Sequence, residues 1–233
     1  MQLPYFFEPE INAEKTQYIL SEESSKHAIQ VLRMNSGEQL QLTDGKGLLI
    51  TASITQAHKK NTLVKIENRE YFSFPHKENC LAISPTKNNS RIEWLLEKVT
   101  EIGIEEIVLL DCERTEKTNV KYERLHNILI SAMLQSRQVY LPELRNLIKF
   151  DAIVKNNLYE EKYIAHCLHD ENKIDLKTIR TNASQIILIG PEGDFTQNEI
   201  NLALAENFKP VSLGHTRLRT ETAGLAATIL LNL

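Results

Sequence analysis

Cysteine is scarce. Cys80, Cys112 and Cys167 are odd in number and widely spaced, which excludes a disulfide framework, and no Cys-x-x-Cys pair offers a metal site. All three read as small buried side chains. Long apolar runs are missing too: nothing approaches the roughly 18 consecutive apolar residues of a membrane helix. The opening MQLPYFFEPE lacks a basic segment followed by an apolar core. No membrane association and a cytoplasmic location are therefore expected. Excess positive charge is absent as well. With 27 Lys and Arg against 31 Asp and Glu, the formal charge of −4 argues against coating nucleic acid by global electrostatics, while leaving a local basic face open. Neither GxxxxGK[ST] nor GxGxxG occurs, so those phosphate cradles are not expected. His166-x-x-His169 has no third ligand at a sensible spacing, and no metal is expected. What remains is an ordinary globular composition, 42% hydrophobic and 25% charged, in a chain long enough for one large domain or two modest ones.

The pattern changes along the chain. LPYFFE reads as a strand, residues 22–34 carry helical spacing, and 39–43, 47–55 and 62–71 read as strands. Asp44-Gly45 is a hairpin turn signal, because glycine accepts a positive φ without steric cost. This first part is a small β-rich domain. The polar, proline-containing stretch 73–79 marks a boundary, beyond which strands and helices alternate. Strands are expected at 80–84, 106–110, 163–165, 185–189 and 211–213. Helices are expected from a capping box at Ser90-x-x-Glu93 to Gly103, over 122–139, from a capping box at Thr196-x-x-Glu199 to about 207, and over 220–231. Such a rhythm implies a mostly parallel sheet covered by helices. The last helix has almost no polar face and must be buried within the domain or against another subunit.

Two C-terminal loops carry the chemistry. IILIGPEGDFTQNE and VSLGHTRLRTETAGLAA each run from a strand through small and charged residues into a helix, at the sheet edge where ligands of open α/β folds bind. In the first, Gly190 and Gly193 let the backbone approach a ligand, while Glu192 and Asp194 would repel phosphate. A plain strand-to-helix turn is the competing reading. In the second, Thr220 reads as a helix N-cap and Glu221 as a first-turn acid. Arg217 and Arg219 sit where the helix dipole disfavours cations, so a cap does not explain them.

In combination, HAIQVLRMNSGEQLQLTDGKG, EKVTEIGIEEI, ERTEK, AMLQSRQVYLPEL, GPEGDF and LRTETAG occur in the order and rough spacing of a known family. The chain resembles the bacterial 16S ribosomal RNA uridine N3-methyltransferases, which are SPOUT methyltransferases, over nearly its whole length. That resemblance implies an α/β SPOUT domain with a mostly parallel sheet over 73–233, its chain end threaded into a trefoil knot. Before it, over 1–72, comes a PUA-like β-barrel for RNA. It also implies a homodimer formed through the SPOUT domain, with S-adenosylmethionine held in the knot, and 16S rRNA in the small ribosomal subunit as the partner. Carried over by position, the cofactor pocket comprises Cys167, Leu168, Ile189, Gly190, Pro191, Glu192, Gly193, Leu213, Gly214, Leu218, Thr222 and Ala223. Arg219 and Glu221 are the catalytic candidates: a cation facing O2 or O4 of the uracil, and an acceptor for the N3 proton. Lys87, Arg91, Arg114, Lys117, Arg137 and Arg217 would line the RNA track, with Arg33 and Lys46 from the first domain.

The chain departs from the family pattern twice. Asp194 stands where a second glycine is usual, and after Gly214 the arginine comes one place late, at Arg217. Two alternatives stay open: a knotted methyltransferase acting on a tRNA base or a ribose 2′-hydroxyl, or a non-catalytic RNA-binding protein without cofactor affinity. The intact GPEG and LRTETA segments speak against the second.

Overall fold

The computed structural model describes residues 2–11, 14–73, 78–168 and 172–233. The chain divides into two compact units: Met1–Phe74 with Met133–Leu141, and Pro75–Ala132 with Pro142–Leu233. Residues 74–77, within the stretch where the sequence marks a boundary, lie outside the described residues.

The first unit is built on a curled five-stranded sheet. Its strands are β1 (Tyr5–Phe7), β2 (Gln17–Ile19), β3 (Gln39–Thr43), β4 (Leu48–Gln56) and β5 (Leu63–Tyr71), in the order β1-β3-β4-β5-β2. All pairings are antiparallel except β1 with β3. In β4 the alternation puts Leu48, Ile50, Ala52 and Ile54 inside, where they meet Leu40 and Leu42 of β3 and Val64 and Ile66 of β5. Between β3 and β4 the Asp44 carboxylate accepts the amides of Lys46 at 2.7 Å and Leu48 at 3.1 Å, and Gly45 takes φ 73. The expected helix over 22–34 is shorter. Helix α1 (Glu22–Lys26), capped by Ser21, passes into a π-helical stretch, His27–Val31. Three-residue β2, not expected from the sequence, is an edge strand with one half-buried residue, too short to show a period.

The second unit holds β6 (Asn79–Ile83), α2 (Asn89–Ile102), β7 (Glu106–Asp111), α3 (Tyr122–Ser136), β8 (Glu143–Lys149), α4 (Phe150–Lys155) and β9 (Glu161–Ala165). It continues through β10 (Ile174–Asp175), β11 (Gln185–Ile189), α5 (Gln197–Ala205), β12 (Lys209–Ser212) and α6 (Thr220–Leu231), with the last residues of α3 assigned to the first unit. Seven strands form one sheet in the order β10-β12-β9-β11-β6-β7-β8, every pairing parallel. The expected α/β class with a parallel sheet is met. Central β6 and β11 are buried at every residue, as strands covered on both faces must be.

One face packs on α4 and α5 through Phe150, Ile153, Phe195 and Ile200; on the other, α2 and α6 pack together, with α6 against β6 and β11. Gly224 lets α6 lie close: a Cβ there would stand 2.7 Å from Ile83 Cδ1 and 3.0 Å from Leu95 Cδ2. Ala227, Thr228 and Leu231 are buried, whereas Ile229 and Leu233 are exposed. Thus α6 buries one side within its unit and leaves an apolar strip open. Trp94 of α2 is also exposed.

Three local expectations change. Helix α2 is capped by Asn88, whose side chain accepts from the Ser90 amide at 3.0 Å, so the Ser90-x-x-Glu93 box does not form. Its stop at Gly103 holds, with φ 95. Strand β8 and helix α4 were not expected. β8 is an edge strand in which only Leu144 is fully buried, and its register shifts against β7, so no clean alternation is visible in ELRNLIK.

Candidate functional site

At the carboxyl ends of β6, β7, β9, β11 and β12, within the second unit, several loops converge. The first is GPEGDF, between β11 and α5. Thr196 caps α5 with a complete capping box, as the sequence indicates: the Glu199 amide donates to Thr196 Oγ1 at 3.3 Å, and the Thr196 amide to Glu199 Oε2 at 2.8 Å. A side chain at Gly190 would meet the Phe195 ring at 3.1 Å. Asp194 takes φ 63, a left-handed conformation that glycine adopts without steric cost. Asp194 adds what glycine lacks: its Oδ2 accepts the Cys167 amide at 2.8 Å and its Oδ1 the Phe195 amide at 2.9 Å. Neighbouring elements hold the rest of the loop. Thr220 Oγ1 donates to Gly190 O at 3.2 Å, the Lys87 amide to Glu192 Oε1 at 2.9 Å, and Arg114 Nη1 to Gly193 O at 2.7 Å. The amides of Glu192 and Gly193 have no hydrogen-bond partner among the described residues.

The second loop joins β12 to α6. Gly214 has φ 139 with open space where a Cβ would stand, and Ser212 Oγ donates to its carbonyl at 3.1 Å. The N-cap of α6 is Arg219, not Thr220, and no side chain caps it. The Thr220 hydroxyl is directed to the first loop instead, and the helix start is closed by the Ala223 amide donating to Arg219 O at 2.7 Å. Arg217 and Arg219 are exposed, with no ion pair or hydrogen bond among the described residues.

Between these loops open two adjoining clefts. One, ≈ 420 Å³, is lined by Arg91, Ile189, Gly190, Pro191, Glu192 and Arg219; the other, ≈ 350 Å³, by His166, Lys173, Leu213, Gly214 and His215. They share Ala165, Cys167, Arg217, Leu218 and Ala223. Nine of the twelve expected cofactor residues therefore meet in one continuous space; Leu168, Gly193 and Thr222 line neither cleft. Cys80 and Cys112 are buried as expected, but Cys167 is exposed, because it stands at the open cleft wall. Partial desolvation of its thiol, and then the charge of Asp194, still push it above its ordinary pKa, so it stays protonated at neutral pH. Another groove, ≈ 440 Å³, lies at the opposite edge of the sheet around Glu106, Arg145 and Tyr159, away from every expected site residue.

Residues 74–232 match the model of an RNA methyltransferase domain, and residues 20–67 that of an RNA methyltransferase PUA domain. The chain belongs to the RNA methyltransferase family. A crystal structure from Porphyromonas gingivalis, described as a "probable rRNA-methyltransferase", is 38% identical with a TM-score of 0.91, covering 99% of this chain and 97% of that one. The ribosomal RNA small subunit methyltransferase E of Neisseria gonorrhoeae, solved bound to S-adenosyl methionine, is 28% identical with a TM-score of 0.86, over 99% and 97%. Its namesake from Rickettsia conorii is 28% identical over 92% of this chain and 89% of its own length.

For a member of this family, the placement of the two catalytic candidates matters most. Arg219 lines the larger cleft. Glu221 does not: it is 8% exposed, turned toward α2, with Oε1 3.6 Å from Arg91 Nε and Oε2 buried without a hydrogen-bond partner. The expected RNA cations also differ among themselves. Lys87 pairs with Glu116 at 2.8 Å, which raises its pKa, and Arg91 lies between the cleft and Glu221. Arg137 donates to Leu3 O at 3.1 Å and to Gln41 Oε1, and stands over the Tyr5 ring at 5.3 Å, all within the first unit. Lys117 is half-buried, and Arg33 and Lys46 are exposed on the first unit. Sequence reasoning did not single out Thr115 or Glu199 as supports of the site. Thr115 Oγ1 meets Ser84 Oγ at 2.8 Å, and Glu199 Oε1 accepts the Glu113 amide at 2.8 Å. No spacing in the sequence announces such contacts, although Glu199 was visible as part of its capping box. Among the described residues no cluster of His, Cys, Asp or Glu could hold a metal, and His169 lies outside them.

Proposed function

We propose that this protein methylates N3 of a uridine in 16S ribosomal RNA of the small subunit, using S-adenosylmethionine. The observation that carries the reading is the joined cleft at the strand ends, walled by both signature loops, in a chain similar along its length to proteins named ribosomal RNA small subunit methyltransferase E. The site fits an adenosine-bearing cofactor. Gly190, Pro191, Gly214, Ala165 and Ala223 leave backbone accessible among its walls, the Glu192 amide is unpaired among the described residues, and Glu192 and Asp194 disfavour phosphate. When bound, the cofactor supplies a methyl group already activated on a sulfonium, so the protein's task is to orient and activate the uracil.

Uracil N3 carries a proton that must leave before its lone pair can attack. Arg219, exposed in the cleft and unpaired, faces O2 or O4 and stabilises the anion left by that proton. Glu221 Oε2, buried without a donor and outside the cleft lining, accepts the proton through an intervening water. The position of Glu221 beside Arg91 favours a second reading, in which it orients Arg91 and water takes the proton. N3 lies on the Watson–Crick edge, so the target uridine must be unpaired or extruded. Arg33 and Lys46 of the first unit, with Arg217 and Lys117 of the second, are assigned to RNA. In this reading the chain end is threaded as a trefoil knot, and two copies pair through their SPOUT domains. The exposed Ile229, Leu233 and Trp94 supply an apolar surface for that pairing. Transfer of labelled methyl to 16S RNA in small subunits, and not to tRNA, is the test.

A further inference from the structure

Of the cations expected on the RNA track, Arg114 is the one whose guanidinium is spent on the cofactor loop itself. Nη1 donates to Gly193 O at 2.7 Å and reaches Phe195 O at 3.5 Å, while the Arg114 stem packs over Gly193, with Cδ 3.4 Å from where a Cβ would stand. Its neighbours in the chain act on the same region. The Glu113 amide donates to Glu199, the acid of the α5 capping box; Thr115 joins Ser84 at the end of β6; and Glu116 pairs with Lys87, whose amide holds Glu192. Residues 113–116 thus form a clasp around GPEGDF. On the far side of the loop, Asp194 takes the Cys167 amide. The loop is stretched between two fixed points, one on the β7 side and one on the β9 side.

We infer that Arg114 is a positioning residue for S-adenosylmethionine, fixing the Gly193 and Phe195 carbonyls so that the loop holds Gly190, Pro191 and Glu192 on the cleft wall, and that it is not a phosphate contact. This rests on the proposed seat of the cofactor on residues 190–193. Both carbonyls are reached by Nη1 at the far end of the guanidinium, over a stem packed on Gly193, and the shorter lysine side chain brings its ammonium less far along that path. The two roles therefore separate by substitution. A phosphate contact survives Arg114→Lys in large part; the loop clasp does not.

The test compares the wild type, Arg114→Lys and Arg114→Ala in the full chain. S-adenosylmethionine affinity is measured by calorimetry, binding to small subunits is measured without cofactor at two salt concentrations, and amide hydrogen exchange is followed over 190–196. Both substitutions are expected to weaken the cofactor about tenfold, the scale of one charge-assisted hydrogen bond. Both should speed exchange in the loop alone and leave subunit affinity and its salt slope unchanged. Unchanged cofactor affinity, or a loss of subunit affinity rescued by lysine, overturns the inference. A wild type that binds no S-adenosylmethionine would instead refute the functional reading on which it rests.

Discussion

The carboxylate of Asp194 accepts the backbone amide of Cys167 at 2.8 Å, tying the loop after β11 to the end of β9 from a residue held at φ 63. In sequence, Asp194 looked like a departure from a glycine. In the structure it keeps the glycine's conformation and adds a strut between two walls of the cleft. Replacement by glycine relieves the left-handed strain but removes the strut; replacement by alanine removes the strut and keeps the strain. Each lost hydrogen bond is worth about 1 kcal/mol, and the strain roughly 1–2 kcal/mol. S-adenosylmethionine affinity measured by calorimetry should fall in the order wild type, Asp194→Gly, Asp194→Ala.

Glu221 and Arg91 give the sharpest choice within the mechanism. If Glu221 accepts the N3 proton, Glu221→Gln lowers kcat about 10²-fold or more, the scale of general base catalysis, and removes the acidic limb of the pH–rate profile. If Glu221 only orients Arg91, Glu221→Gln keeps the profile, and the Arg91→Ala and Glu221→Gln losses are strongly non-additive in a double-mutant cycle.

The packing of α6 makes a prediction that runs against helix propensity. Alanine is favoured over glycine in a helix by about 1 kcal/mol, yet a Cβ on Gly224 would press on Ile83 and Leu95 at 2.7 and 3.0 Å. Overpacking of that kind costs about 1–3 kcal/mol. Urea denaturation should therefore find Gly224→Ala less stable than the wild type.

Cys167 offers a chemical probe of the cleft. Its thiol pKa is raised, first by partial desolvation and then by Asp194, so less thiolate is present at any given pH than for an ordinary cysteine. Alkylation at pH 8 should be slower than for a free thiol and should accelerate only at higher pH. Saturating S-adenosylmethionine should slow it further. Mass-spectrometric rates at Cys167 with and without cofactor check both statements.

The legible part of this protein was its regular part. Period-two alternation in β4, the apolar runs of β6 and β11, the Thr196–Glu199 box and the Gly103 stop are local patterns, and each appeared where its chemistry placed it. β8 stayed hidden because an edge strand with one buried residue carries no clear period. The cap of α6 was misread for a different reason: Thr220 is a good N-cap in isolation, but its hydroxyl is used thirty residues back, on Gly190. The same limit applied to the cations. Arg114, Arg137 and Lys87 look alike as charges in a sequence, yet one holds a ligand loop, one braces Leu3 and Gln41, and one pairs with Glu116. Long-range partners decide such roles, and no spacing encodes them.

The central claim is methyl transfer to N3 of a 16S uridine. It is tested most directly by incubating the purified protein and labelled S-adenosylmethionine with small subunits that lack native modification, then locating the methyl group by mass spectrometry of nucleosides and RNA fragments. The account predicts a single 3-methyluridine in 16S RNA, abolished by Arg219→Ala. Label on a ribose hydroxyl, on another base or on tRNA alone would contradict it.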